Sequence, residues 1–237
     1  MFFAVLLSGG IGTRVDSVRP KQYIEIEGRS ILSYSVEALL QSKWIRAVQV
    51  VAAPPWHTYI TQQLNMLDGL SKLNGFSLPG RNRQESIFHA LQDCHMQFGE
   101  ADAVLIHDAA RPLLSVDLVN RCIDALDGYD GVLPVLKMRD TMYLSKDGKS
   151  VSMLLNREEI FAGQAPELFL YGKYYSANQR LLKNDNILHI NGSTEPAILA
   201  DMDVTMIPGD ETNFKITTDA DLRRFEKICS DHRRADK

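Results

Sequence analysis

Apolar residues fall in short blocks along the chain, and the spacing inside each block separates strands from helices. Residues 2–7 (FFAVLL) form an unbroken apolar run, as in a strand covered on both faces, and lead into a glycine cluster. Residues 30–40 carry apolar positions at helical spacing. Residues 47–53 (AVQVVAA) predict a strand that Pro54-Pro55 cannot continue. A helix is expected over 59–67 and a short strand over 76–78. Then come a helix over 83–94 with Ile87, Ala90 and Leu91 on one face, a strand over 103–106, a helix over 116–126 and a strand over 131–136. This alternation predicts an α/β fold, an open and mostly parallel twisted sheet with helices on both faces.

From residue 137 to 161 the rhythm changes. Two strand-like segments, 143–144 and 151–155, flank Lys146-Asp147-Gly148-Lys149, a hairpin turn signal. An isolated two-stranded arm is barely stable in water, so a projecting β-arm that packs on a second subunit is expected. No repeat or low-complexity linker appears, and the expected partition is one domain over 1–237 with a dimerisation arm at about 137–161.

Composition changes this picture little. The 237 residues are 45% hydrophobic and 24% charged, as in ordinary globular proteins. A formal net charge of -4 gives no general attraction to nucleic acid, so a polyanion needs a local basic site. No apolar run approaches a membrane span, and residues 2–7 lack the basic leader and length of a signal peptide. Cys94, Cys122 and Cys229 are scattered and without metal spacing, which suits a reduced, cytoplasmic protein.

The chemistry gathers where ligands bind in such sheets, beyond the carboxyl ends of strands. Ser8-Gly9-Gly10-Ile11-Gly12-Thr13-Arg14 follows a strand, the context for phosphate binding by backbone N–H groups. It fits neither G-x-G-x-x-G nor the P-loop pattern. Arg14 and, after Pro20, Lys21 add two cations able to neutralise a triphosphate; the other reading is a glycine turn with solvated charges. Asp108 ends the 103–106 strand, where a carboxylate suits Mg²⁺ or caps the following helix. His107 receives no role. Residues 213–218 (NFKITT) read as strand-like, with Lys215 either a third phosphate cation or a snorkelling side chain.

Taken in order, L-S-G-G-I-G-T-R, P-K-Q-Y, H-D-A-A-R-P, R-D-T and N-F-K-I-T resemble the CTP-dependent cytidylyltransferases of the 2-C-methyl-D-erythritol 4-phosphate type. They also resemble the related ribitol 5-phosphate enzymes. The resemblance covers residues 3 to about 225. It implies a homodimer with a Rossmann-like nucleotidyltransferase fold and an exchanged arm, CTP as substrate and Mg²⁺ as cofactor, with no nucleic-acid or membrane partner. On that basis Ser8, Gly9, Gly10, Gly12 and Thr13 hold the triphosphate, and Gly80 and Ser86 contact cytosine. Arg14, Lys21 and Lys215 are the catalytic cations, Asp108 ligates the metal, and Arg111, Thr141 and Arg157 build the acceptor site. Two departures concern the ligand sites. Ala165-Pro166-Glu167 stands where the methylerythritol enzymes usually show T-P-Q, and Arg81 where an acidic residue is common. Another sugar-phosphate nucleotidyltransferase and a non-catalytic binding module are the competing readings; the retained Arg14, Lys21, Asp108 and Lys215 weigh against the second.

Overall fold

The computed structural model describes residues 1–10, 19–183 and 185–235. Strand β1 (Phe2–Leu7) is an interior strand of the sheet, which explains its unbroken apolar run. Phe3 and Val5 enter the core on one face, Ala4 and Leu6 the core on the other. After a short ladder of β2 (Glu25–Ile26) and β3 (Arg29–Ser30), helix α1 (Ile31–Gln41) starts at the Ser30 cap, whose Oγ accepts the Ser33 N–H at 3.2 Å. There follow β4 (Ile45–Val51), α2 (His57–Leu64), β5 (Leu73–Ser77), α3 (Arg83–Asp93), β6 (Ala103–Asp108), α4 (Val116–Asp124) and β7 (Gly131–Lys137). Each element expected over residues 2–136 is present, with ends moved by a few residues.

The later elements are β8 (Met142–Leu144), β9 (Met153–Leu155), β10 (Phe161–Gly163), β11 (Glu167–Leu170), α5 (Tyr171–Lys183), α6 (Glu195–Leu199), β12 (Val204–Pro208) and α7 (Asp219–Ala235). Strands β6, β1, β4 and β5 are parallel neighbours. On the other side of β6 the chain returns antiparallel as β11, which also pairs β7; β10 extends that line along β7, and β12 runs parallel on β7's opposite edge. The sheet is therefore mostly parallel with one antiparallel interruption. Helices α1, α2 and α4 cover one face, and α3, α5 and α6 the other. Helix α7 packs Phe225 beside Ile26, Ile31 and Ile216.

The arm is a separate antiparallel ladder, β8 on β9. Asp147 Oδ1 closes its turn by accepting the Lys149 and Ser150 N–H groups at 2.9 and 2.8 Å, and Gly148 takes a left-handed φ of 69°. Tyr143, Val151 and Leu154 are 57%, 68% and 62% exposed. One expectation fails: residues 213–218 are not a strand. They form an irregular segment held by scattered bonds rather than a ladder, among them Ile216 N–H to the Ala110 carbonyl at 2.8 Å and Thr217 N–H to Asp221 Oδ2 of α7 at 2.9 Å.

Candidate active site

The register of the parallel strands places three carboxyl ends at one level, because Leu7 pairs with both Val51 and Asp108. All three line a cleft of about 510 Å³, together with Gly9, Gly10, Lys21, Gln22, Gly80, Ser86 and Lys215. Among the described residues its charged lining consists of Lys21, Arg81, Arg83 and Lys215 against the single acid Asp108. A chain with net charge -4 thus concentrates positive charge in one concave place, as polyanion binding requires.

Asp108 is the hub. Its Oδ2 accepts from Lys215 Nζ at 2.9 Å, its Oδ1 from Arg83 Nε at 3.1 Å, and Arg111 Nε lies 3.7 Å from Oδ2. Burial would raise its pKa, but Arg83 and then Lys215 outweigh that and hold the carboxyl well below the usual range. The helix-cap reading is overturned: α4 is capped by Ser115, whose Oγ accepts the Leu118 N–H at 3.1 Å. His107 is fully buried, and burial pushes its pKa down to about 4. The ring is neutral near pH 7 and donates from Nε2 to the Arg111 carbonyl at 3.2 Å.

Lys215 reaches the hub because its segment is pinned at Ile216, whose N–H donates to the Ala110 carbonyl, and at Asn213. Asn213 Nδ2 donates to the Ala165 carbonyl at 2.8 Å, and the Asn213 carbonyl accepts from Arg111 Nη1 at 2.8 Å. Buried Gln164 holds the preceding turn by donating to the Asp210 carbonyl and accepting the Asp210 N–H. Arg83 is braced from behind: Nη1 donates to Ser193 Oγ at 2.7 Å, and Nη2 lies 3.8 Å from Glu167. Glu167 accepts from the same Ser193 hydroxyl. Burial raises the Glu167 pKa against the pull of Arg83. The departure from T-P-Q at 167 therefore faces this brace.

On the opposite wall, Ser86 Oγ accepts the Gly80 N–H at 2.8 Å and gives its own proton to the Asn82 carbonyl at 2.7 Å, which shapes the 80–86 loop. A Cβ at Gly80 would lie 2.6 Å from the Glu85 Cβ, so only glycine fits there. Arg81, the second departure, turns to Glu85 at 2.6 Å and Asp185 at 3.5 Å. Beneath the glycine loop, Gln22 Nε2 donates to the Ser8 carbonyl at 2.8 Å and to the Gly10 carbonyl at 2.7 Å. Tyr23 donates to the Ser8 carbonyl and accepts from Ser8 Oγ, each at 3.0 Å.

Of the residues singled out in the sequence, Gly9, Gly10, Lys21, Gly80, Ser86, Asp108 and Lys215 line this cleft. Ser8 lies buried just beneath it. Gly12, Thr13 and Arg14 fall outside the described residues. Arg111 does not line the cleft; its largely buried side chain serves Asp108 and Asn213. Thr141 and Arg157 do not line it either. Arg157 sits at the base of the arm, where Nη1 donates to the Arg139 carbonyl at 3.0 Å. Sequence reasoning assigned nothing to Arg83, Gln22, Tyr23 or Gln164. Gln22 and Tyr23 stood inside the P-K-Q-Y motif; Arg83 carried no signal beyond its closeness to Gly80.

The family model described as IspD, 2-C-methyl-D-erythritol 4-phosphate cytidylyltransferase, matches residues 2–231. A protein of that description from Rubrobacter xylanophilus is 32% identical, the alignment covering 96% of this chain and 94% of that protein. A ribitol-5-phosphate cytidylyltransferase from Streptococcus agalactiae serotype V is 26% identical over 96% of this chain and 95% of its own. Among solved structures, the 4-diphosphocytidyl-2C-methyl-D-erythritol synthase of Anaerococcus prevotii shares the fold with a TM-score of 0.81 at 23% identity, covering 97% of this chain and 96% of its own.

Proposed function

This chain belongs to the IspD family of 2-C-methyl-D-erythritol 4-phosphate cytidylyltransferases, and on that premise we propose that it transfers CMP from CTP to a polyol phosphate. The lead acceptor is 2-C-methyl-D-erythritol 4-phosphate, favoured by the family match and by relatives of higher identity than the ribitol enzymes. The observation that carries the reading is the cationic cleft at the strand ends, with Lys215 and Arg83 converging on Asp108.

The chemistry is a displacement at phosphorus. An ionised oxygen of the acceptor phosphate bonds to the α-phosphorus of CTP as the bond to the bridging β-phosphate oxygen breaks, and pyrophosphate leaves with that electron pair. No proton must be removed from the attacking oxygen, so the protein contributes position and charge. Lys21 and Lys215 place two ammonium groups in the cleft. Lys215 exchanges its contact with Asp108 for phosphate oxygens, and Arg83 keeps the carboxylate oriented meanwhile. Arg14 is assigned to the same task from the motif. Gly80 admits the base closely, and Ser86 holds that loop in shape.

Among the described residues no group of three His, Cys, Asp or Glu side chains could hold a metal unaided. One carboxylate at a phosphate cleft nevertheless fits Mg²⁺, which commonly takes one or two protein carboxylates together with substrate phosphates. Asp108 would hold it, and when bound the ion neutralises charge on the phosphate oxygens.

The chain acts as one domain whose arm embraces a second copy, because the exposed Tyr143, Val151 and Leu154 need cover. Across that homodimer, Thr141 and Arg157 complete the partner's acceptor pocket. Three free cysteines accord with a reducing, cytoplasmic setting. Among the described residues no helix is long and apolar enough to cross a membrane.

Competition between acceptors tests the assignment. With CTP and Mg²⁺, kcat/KM for methylerythritol phosphate is expected to exceed that for ribitol 5-phosphate by about a hundredfold. The reverse ratio would make this a ribitol-phosphate enzyme, a reading that the relatives at 26% identity favour.

A further inference from the structure

We infer that Gln22 is a positioning residue for nucleotide binding, a clamp that fixes the glycine loop and Lys21 in one rigid block before CTP arrives. The inference rests on the cytidylyltransferase reading above. Both Nε2 hydrogens of this buried amide are committed, one to the Ser8 carbonyl at 2.8 Å and one to the Gly10 carbonyl at 2.7 Å. A single side-chain nitrogen therefore gathers two loop carbonyls that are two residues apart. Because a trans peptide points its C=O and the following N–H in opposite directions, drawing in the Ser8 carbonyl turns the Gly9 N–H away from Gln22.

The neighbours reinforce the block. Tyr23 adds a second donor to the Ser8 carbonyl. Its ring stacks on Trp56 at 4.2 Å and meets Tyr59 edge-on at 5.8 Å. Gly9 is confined from the other side, since a Cβ there would lie 2.8 Å from Pro79. Lys21, Gln22 and Tyr23 form one 3₁₀ turn. The lysine that faces the triphosphate and the amide that holds the loop thus move together. Triphosphate binding by a glycine loop otherwise includes the entropy of ordering that loop, and pre-ordering it lowers the cost.

Two measurements test this, and one needs no nucleotide. Gln22→Met keeps length and removes both donors; Gln22→Glu keeps shape and sets oxygens against the two carbonyls. In the nucleotide-free protein, amide hydrogen exchange over residues 4–10 is expected to accelerate about tenfold in Gln22→Met. CTP affinity measured by calorimetry with Mg²⁺ should weaken about tenfold, and more in Gln22→Glu, while the acceptor KM stays within about twofold. Should Gln22→Glu fail to fold, Gln22→Met and Tyr23→Phe decide. If Gln22→Met exchanges and binds CTP as the unaltered chain does, the clamp is wrong. It is equally wrong if the acceptor KM and the melting temperature worsen in parallel with the CTP affinity. If the unaltered chain does not bind CTP, the cytidylyltransferase reading falls first.

Discussion

Lys215 Nζ lies 2.9 Å from Asp108 Oδ2 across 107 residues of sequence, and the same carboxylate gives its other oxygen to Arg83. The acid proposed to hold a divalent cation is thus paired with the ammonium proposed to act in catalysis. Lys215→Ala removes the proposed phosphate cation but leaves Asp108 paired with Arg83 and Arg111, so the fold is expected to persist. Turnover, followed as pyrophosphate release, should drop at least about a thousandfold, as for loss of a preorganised transition-state contact. Lys21→Ala should behave alike, and near-native turnover in either variant would remove that lysine from the mechanism.

His107 links stability to pH. Its folded pKa is lowered to about 4 by burial, against about 6.5 when unfolded. A buried neutral histidine contributes its stability fully above the unfolded value and loses it as pH falls from about 6.5 to 4, because only the unfolded chain then takes up the proton. The contribution is worth up to about 3 kcal/mol. Urea unfolding between pH 7.5 and 4.5 should show that decline, and His107→Gln should flatten it.

Asp108 acts in the same direction at lower pH. Its folded pKa is depressed, so its stabilisation is complete above about 3.9 and fades only as pH falls below that toward the folded value. Asp108→Asn should therefore leave the decline between pH 6.5 and 4.5 in place. It should also sharply raise the Mg²⁺ concentration needed for half-maximal turnover. An unchanged magnesium requirement would place the ion elsewhere.

Gly80→Ala tests the close wall of the cleft. The added methyl meets Glu85 backbone and side-chain carbons at 2.7 and 2.6 Å, and overpacking of this kind costs about 1–3 kcal/mol. The KM for CTP is expected to rise about tenfold with the acceptor KM little changed. Equal effects on both substrates would show general misfolding instead.

Leu154→Glu places a charge among the exposed apolar side chains of the arm. Sedimentation should show a shift from dimer to monomer, and Arg157→Ala should raise the acceptor KM about tenfold without altering the dimer or the KM for CTP. A monomeric unaltered chain would contradict the exchanged arm.

The alternating pattern revealed most of the sheet because β1, β4 and β6 are apolar on both faces and end at glycine, proline or charge. The strand pairing was hidden: the antiparallel return of β11 between β6 and β7 depends on pairing across distant segments, which no local period records. Lys215 and Asp108 were legible as candidates, but not their contact. The 213–218 segment looked strand-like because Phe214, Ile216, Thr217 and Thr218 are residue types that favour strands. Its backbone is satisfied piecemeal by Ala110 and Arg111 rather than by a ladder. Arg83, Gln22 and Gln164 were missed because their work is to hold other side chains and carbonyls, and that work has no motif of its own.

The most direct test of the central claim is the stoichiometry of the reaction with CTP, Mg²⁺ and 2-C-methyl-D-erythritol 4-phosphate. One pyrophosphate released for each CDP-polyol formed, with UTP turned over at least about a hundredfold more slowly, is the expected result. No pyrophosphate with this or any other polyol phosphate, or equal turnover with UTP, would contradict it.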